Sequence, residues 1–267
     1  MTENPRKNSF KTAPQHKLPN PIGLLLLLFG ISALIISTIF VSSILAFIGL
    51  GLTFWGALLL YLKHERYVKS RLLDSTALSS LENLSKIIKE LDYKGRPVYL
   101  PPKYLRDFKS GIVYIPKKEE VEIPPVEEVS EEKTFSKNPQ GILLTPPGLS
   151  LANLFEKELG TDFVRTDLSY LQKNMPKLFI ENLEIAQDLQ IEKQGSILNI
   201  KITESVYKDF CSETRKLQNI CGSIGCPLCS AIACALARAT GKPITIEKDE
   251  TSKDNKAITI QYRILEE

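Results

Sequence analysis

From Ile22 to Leu62 the chain contains no Asp, Glu, Lys, Arg or His, a stretch of 41 residues. A charge at the centre of a membrane helix costs roughly 2.5–3.5 kcal/mol on insertion scales, so an uncharged run of this length points to a bilayer. One helix spans the ~30 Å hydrocarbon core with ~20 residues, and a single helix over the whole run would be about twice too long. Two helices with a tight turn near Val41-Ser42-Ser43 fit better, because small polar side chains there can bond freed backbone groups. The competing readings are a single tilted span and a signal peptide, whose apolar region is only ~7–15 residues and shorter than this run. Gly30 and Ala33 on the first helix, and Gly49, Gly51 and Gly56 on the second, are expected to let the helices approach closely. Tyr61 is placed as an interfacial anchor. Arg6, Lys7, Lys11 and Lys17 precede the run, and Lys63, Arg66, Lys69 and Arg71 follow it. Basic residues on both flanks predict a two-span protein of the cell membrane with both termini cytoplasmic and almost no external loop.

Other absences narrow the chemistry. Histidine is confined to His16 and His64, which flank the run and lie far in sequence from every cysteine, so no Cys/His dyad is indicated. The chain has no Walker loop, no G-x-G-x-x-G, no G-x-S-x-G and no H-E-x-x-H. Its carboxylates are scattered. The net charge of +3 is accounted for by the basic flanks, which argues against a nucleic-acid surface and for contact with anionic lipid. No cysteine occurs before Cys211. An odd set of five in a cytoplasmic domain reads as reduced thiols or metal ligands rather than a disulfide framework.

What is present is a chain in six parts. Residues 1–20 form a basic, proline-containing N-terminus expected to be disordered, and 21–62 form the transmembrane hairpin. Residues 63–92 read as a juxtamembrane amphipathic helix, with Ala77, Leu81, Leu84, Ile88 and Leu91 as its apolar stripe and a capping box at Ser79 and Glu82 if the helix breaks there. Residues 93–116 hold two short strands around Pro101-Pro102, Val98–Leu100 and Ile112–Ile115. Residues 117–140 are acidic, contain Pro124 and Pro125, and read as a solvated linker. Beyond it, Leu143-Leu144-Thr145-Pro146-Pro147 echoes Val98-Tyr99-Leu100-Pro101-Pro102, so these two strands are candidates to pair.

Residues 141–267 carry the clearest pattern. Leu149–Leu159 reads as a helix stopped by Gly160, and Asp167 caps another that Pro176 must kink. Ile185–Ile191 and Ile197–Ile202 are alternating runs around Gln194-Gly195, a hairpin signal. Ser205–Leu217 and Pro227–Thr240 are helical, the second with proline at its first turn and Gly241 past its end. Ile244–Glu247 and Ala257–Leu265 are the last strands. The fold class is therefore α+β: a transmembrane helical hairpin followed by a cytoplasmic domain with an antiparallel sheet packed on helices, in the order α-α-β-β-α-α-β-β.

That order, with Thr240-Gly241-Lys242-Pro243 leading into a strand ending at Glu247, resembles the 4-vinyl reductase domain and the TRAPP small subunits over about the last 120 residues. The resemblance implies an antiparallel sheet on helices that binds small or hydrocarbon ligands or partner proteins. The 4-vinyl reductase domain usually carries cysteines just after this strand, where this chain has Lys248, Asp249 and Glu250. The whole chain also resembles uncharacterised archaeal membrane-anchored proteins, which implies a compartment and no activity.

The five cysteines, Cys211, Cys221, Cys226, Cys229 and Cys234, admit three chemistries. Cys226-Pro227-Leu228-Cys229 resembles a glutaredoxin-type pair in which Cys226 attacks and Cys229 resolves; the N-terminus of the helix stabilises a thiolate at Cys226. Zinc or an iron–sulfur cluster is the second, since C-x4-C-x2-C matches the start of the plant-type ferredoxin spacing, with Cys211 available as a further ligand. The third is packing: free cysteine behaves as a small apolar side chain, and SAIACALARAT is an Ala-rich helix fit for a core. Then Cys229 and Cys234 are interior and only Cys221 and Cys226 reach solvent.

The functional expectation is a membrane-anchored binding or scaffold domain for a small ligand, an apolar one included, or a protein partner, with no catalysis evident. The lipid bilayer is its first partner, a protein partner or self-association the second, and nucleic acid is not expected. The alternative is a cysteine-ligated metal or thiol redox protein. An apolar cavity between sheet and helices would favour the first, and sulfurs converging on one point the second.

Overall fold

A computed structural model of the chain describes residues 21–61, 70–105, 110–130, 133–216, 220–252, 254 and 256–266. The N-terminal segment 1–20, the flanking Lys63, Arg66 and Lys69, and both histidines lie outside them. The chain divides into two units, Met1–Tyr67 and Val68–Glu267.

The first unit holds helices α1 (Pro21–Phe40) and α2 (Ser43–Tyr61). At 20 and 19 residues, each is about 30 Å long and long and apolar enough to cross a membrane. They turn where the small polar residues fall: Val41 takes a positive φ of 49°, and the Ser37 hydroxyl donates to the carbonyl of Ser42 at 3.0 Å. Gly23, Gly30 and Ser37 recur every seven residues on α1, and Gly49 and Gly56 do so on α2; all five are buried. A seven-residue repeat keeps one seam facing the partner helix. A Cβ at Gly30 would stand 2.4 Å from the backbone N of Thr53, and one at Gly56 2.5 Å from that of Leu27. Gly51 differs from expectation: nothing lies within 4 Å of its Cβ position, so it faces away from the seam. The hydroxyls of Ser32 and Thr53 bond the carbonyls of Leu28 and Gly49, four residues back, at 2.8 and 2.7 Å. These bonds satisfy the polar groups of otherwise apolar helices.

The second unit opens with α3 (Ser70–Glu90), unbroken at Ser79. Leu81, Ser85 and Ile88 form its buried stripe, while Leu91, past its end, is exposed. Next come β1 (Val98–Tyr99), β2 (Val113–Pro116), α4 (Val126–Ser130), β3 (Phe135–Lys137) and β4 (Gln140–Leu144). The acidic stretch 117–140, read as a linker, thus contains a short helix with Val129 buried and a strand of the sheet. Its structure comes from pairing, which apolar content did not foretell: Phe135–Lys137 and Gln140–Ile142 form a hairpin. After α5 (Leu149–Leu159) and α6 (Leu168–Lys177) follow β5 (Asp188–Gln194), β6 (Ile197–Thr203), α7 (Lys208–Lys216), α8 (Ile220–Ser223), α9 (Pro227–Thr240), β7 (Ile244–Thr251) and β8 (Ala257–Ile264). Asp167 caps α6 by accepting the Tyr170 N–H, and Gly160 ends α5 in the left-handed conformation. Pro176 stays inside α6, and a π-turn over Leu178–Asn182 follows directly.

All eight strands form one antiparallel sheet in the order β3-β4-β2-β1-β7-β8-β6-β5. The echoed strands β1 and β4 do not pair with each other; β2 lies between them and pairs with both. Strands β1 and β2 consequently belong to the same sheet as the C-terminal region, through β1 against β7.

Strand alternation sorts the side chains into two cores. Tyr99, Val113, Ile115 and Ile142 point to the main core with Leu198, Ile200, Ile258, Ile260 and Tyr262 and the helices. Val98, Leu100, Tyr114 and Leu143 point the other way, against Tyr104 and Val129. That is why Val98–Leu100 and Val113–Pro116 are apolar without alternation, being buried on both faces. On β6 and β8 every second residue, Lys201 and Thr259 among them, faces solvent.

Candidate functional site

The cysteines gather around α9, the central helix. Every residue from Leu228 to Arg238 is buried, a consequence of Ala, Cys and Ser being small enough to let neighbours close in. Gly148 packs directly on it: a Cβ there would lie 2.1 Å from the backbone N of Ala231. Gly225 has φ of 83°, and a Cβ there would lie 2.3 Å from the Tyr99 hydroxyl. Pro227 sits at the first position and Cys226 is the N-cap, its Sγ accepting the Cys229 N–H at 3.4 Å.

Cys211, in the middle of α7, places its Sγ 3.5 Å from the Sγ of Cys226. Both thiols are fully buried, so the expectation that Cys226 reaches solvent is overturned. Cys229 is interior as expected, and its carbonyl accepts the Tyr262 hydroxyl at 2.9 Å. Cys234 lies two turns along α9, about 12 Å from Cys226 at ~1.5 Å per residue. Burial pushes its thiol up to about 12, with the charge of Arg238 opposing and that of Glu156 adding. Cys221 is on α8, and its side chain lies outside the described ones. Among the described residues no three His, Cys, Asp or Glu side chains are grouped as metal ligands. The structure therefore brings Cys211 and Cys226 together and leaves Cys234 apart.

Two buried tyrosines frame the pair. Tyr99 donates to the carbonyl of Ile224 at 2.8 Å, just before Cys226, and Tyr262 to Cys229. Burial raises both phenols well above their ordinary value. At the far end of α9, Arg238 donates to Glu156 Oε2 at 2.8 Å and to the Ser110 carbonyl at 3.2 Å, while Glu156 Oε1 accepts the Phe163 N–H at 3.0 Å. Sequence reading missed these partners, because residues 82 and 128 positions away in the chain carry no local signal.

The clefts are on the surface. One of about 610 Å³ is lined by Asp92, Lys94, Lys117, Glu119, Lys137 and Gln140, with Tyr114 at its base. Tyr114 is held there because Gly141 leaves room for its ring: a Cβ would stand 2.0 Å from Cε2. A second cleft, of about 680 Å³, lies beside Asn153, Glu156, Thr161 and Arg165. A third, of about 870 Å³ and wide open, runs along Lys201, Arg215, Asp249 and Lys256.

A family model described as a domain of unknown function, DUF7982, matches residues 2–263. The chain belongs to this family. No curated protein and no solved structure matches it. In this DUF7982 chain, β7 runs straight through Lys248, Asp249 and Glu250 after a bulge between Ile246 and Lys248. Asp249 is ion-paired with Arg215 of α7. The segment where the 4-vinyl reductase pattern carries cysteines is thus strand, tied by charge to the helix that bears Cys211.

Proposed function

We propose that this DUF7982 protein is a two-span membrane protein whose second unit is a cytoplasmic binding or scaffold domain for a protein partner or a small polar ligand. The observation that carries this is the opposite dressing of the two units. The first exposes its large apolar side chains, Phe29 at 65 % and Phe47 at 77 % among them. The second turns its own inward around a close-packed sheet and helices. An apolar exterior suits lipid, and an apolar interior suits water.

Binding is favoured over catalysis because the buried polar groups of the domain are spent on holding the fold. Ser230 accepts the Gly148 N–H, Thr214 donates to the carbonyls of Phe210 and Cys211, Thr245 to that of Pro97, and Arg238 to Glu156. The cleft over Tyr114 supports a polar occupant, since lysines and carboxylates share its rim. At about 610 Å³ it falls within the ~300–1,000 Å³ typical of ligand sites. The likeness of Thr240–Glu247 to the 4-vinyl reductase domain and TRAPP small subunits fits a binding role, although tight packing at Gly148 and Gly225 argues against a hydrocarbon ligand beside α9.

A photo-crosslinking residue at Gln140, on the cleft rim, tests this in cells against one at Gln190, exposed on β5 away from the three clefts. Discrete adducts from position 140 and none from 190 are expected. Equal or absent labelling at both positions contradicts a specific site at the cleft.

A further inference from the structure

We infer that Cys211 and Cys226 form a redox-sensitive thiol pair, and that their oxidation ties α7 to the N-terminus of α9. This goes beyond the binding role and stands independently of it. The two sulfurs lie 3.5 Å apart, and closing to a bonded ~2.05 Å asks for a movement of about 1.5 Å, within the reach of small side-chain rotations. The pair joins residues 15 apart in sequence and on two different helices.

The two cysteines are not equivalent. Cys226 is the N-cap of a helix of 14 residues, and its sulfur already accepts the Cys229 N–H. The backbone N–H held against that sulfur at the start of α9 assigns Cys226 the attacking role. Cys211, against it, is the resolving thiol. With a hydroperoxide as oxidant, the Cys226 thiolate attacks the terminal oxygen, the O–O bond breaks, and the alcohol leaves with one proton; Cys226 becomes the sulfenic acid. The Cys211 sulfur then attacks the Cys226 sulfur, the S–O bond breaks, and water leaves. Two thiols and one hydroperoxide give one disulfide, one alcohol and one water, with two electrons passed to oxygen.

The remaining described thiols have other surroundings. Cys229 meets Cys226 through its backbone N–H and bonds Tyr262 through its carbonyl. Cys234 stands beside Glu156 and Arg238, where burial keeps it protonated. Full burial of Cys211 and Cys226 also makes the reaction depend on transient local opening, so it is slower than at an exposed thiol. Sequence spacing alone favours Cys226 with Cys229, and the fold selects Cys211 instead.

The test uses the full chain, purified in detergent under reducing conditions. It is treated with hydrogen peroxide, quenched in acid, alkylated after denaturation and mapped without reduction. The expected result is the loss of two alkylatable thiols, a linked peptide containing Cys211 and Cys226, and full recovery with dithiothreitol. Cys229→Ala and Cys234→Ala proteins still give the linked peptide, and Cys211→Ser does not. A Cys226–Cys229 or Cys221-containing link as the main product overturns the assignment. So does a wild-type protein that keeps all five thiols alkylatable after treatment, or one oxidised only to forms that dithiothreitol does not reverse. The wild-type measurement is decisive even if a variant fails to fold.

Discussion

Arg238 shows how one residue can hold distant parts of a domain. It is the only charged side chain on α9 and is 4 % exposed, yet it has a carboxylate and a carbonyl for its donors. Removing one member of a buried pair leaves the other uncompensated, at a cost of about 3–5 kcal/mol. Arg238→Ala is expected to lower stability by that order, read as a drop in the urea midpoint at unchanged slope; a change under about 0.5 kcal/mol, typical of surface sites, would refute the structural role given to it. Cys234, one turn away, sets a pH dependence. Its thiol is held protonated up to about 12, above the ordinary 9.0. Between those values the unfolded chain releases a proton that the folded chain keeps. This contribution to stability is complete below the ordinary value and is lost as pH rises through the window, at most about 1.4 kcal/mol per unit. Tyr99 and Tyr262, also kept protonated by burial, steepen the loss above their ordinary 10.0. Denaturant midpoints should stay flat to about pH 9 as far as these groups decide them and then fall, with Cys234→Ala removing the first part of the decline.

At the level of elements, local chemistry was legible and long-range partnership was not. Asp167, Gly160, Pro227 and Gly241 each end or start a helix where the residue type says they must. The turn at Val41 to Ser43 and the hairpin at Gly195 are likewise local. Three-residue β3 was hidden in an acidic stretch because its structure depends on a partner strand. The echo between Val98–Leu100 and Leu143–Leu144 marked two strands of one sheet but misled on their pairing, since β2 takes both. Among the cysteines, Cys226 was legible as an N-cap and Cys211 as a further member of the cluster, while their direct contact was not, because α7 and α9 meet only in three dimensions. The glycines of the hairpin divide the same way: heptad spacing separates Gly49 and Gly56 from Gly51, a distinction composition alone does not make. Gly30→Leu should force α1 from α2 and lower the thermal midpoint of the full chain in detergent. Gly51→Leu, with open space at its Cβ, should leave that midpoint within error. Equal loss in both variants would contradict the seam.

For the whole molecule, the decisive property is the contrast between a pair of uncharged helices and a domain with its own filled core. On the topology proposed here, the basic residues on both sides of the apolar run would lie on one face of the membrane. The domain that follows needs no lipid to bury its apolar groups, since the main core and the smaller core beneath Tyr104 and Val129 cover both faces of β1 and β2. A hairpin that merely crossed and returned would serve as a tether, and the binding surface would be carried by the domain. The most direct measurement is protease accessibility of tags at both ends of the full chain, in intact cells and after permeabilisation, with an alkaline carbonate wash of the membranes alongside. The account predicts that both tags are protected in intact cells, that both are cut once the membrane is opened, and that the chain stays in the membrane through the wash. One tag cut from outside, or a chain released by carbonate, would contradict the two-span anchor.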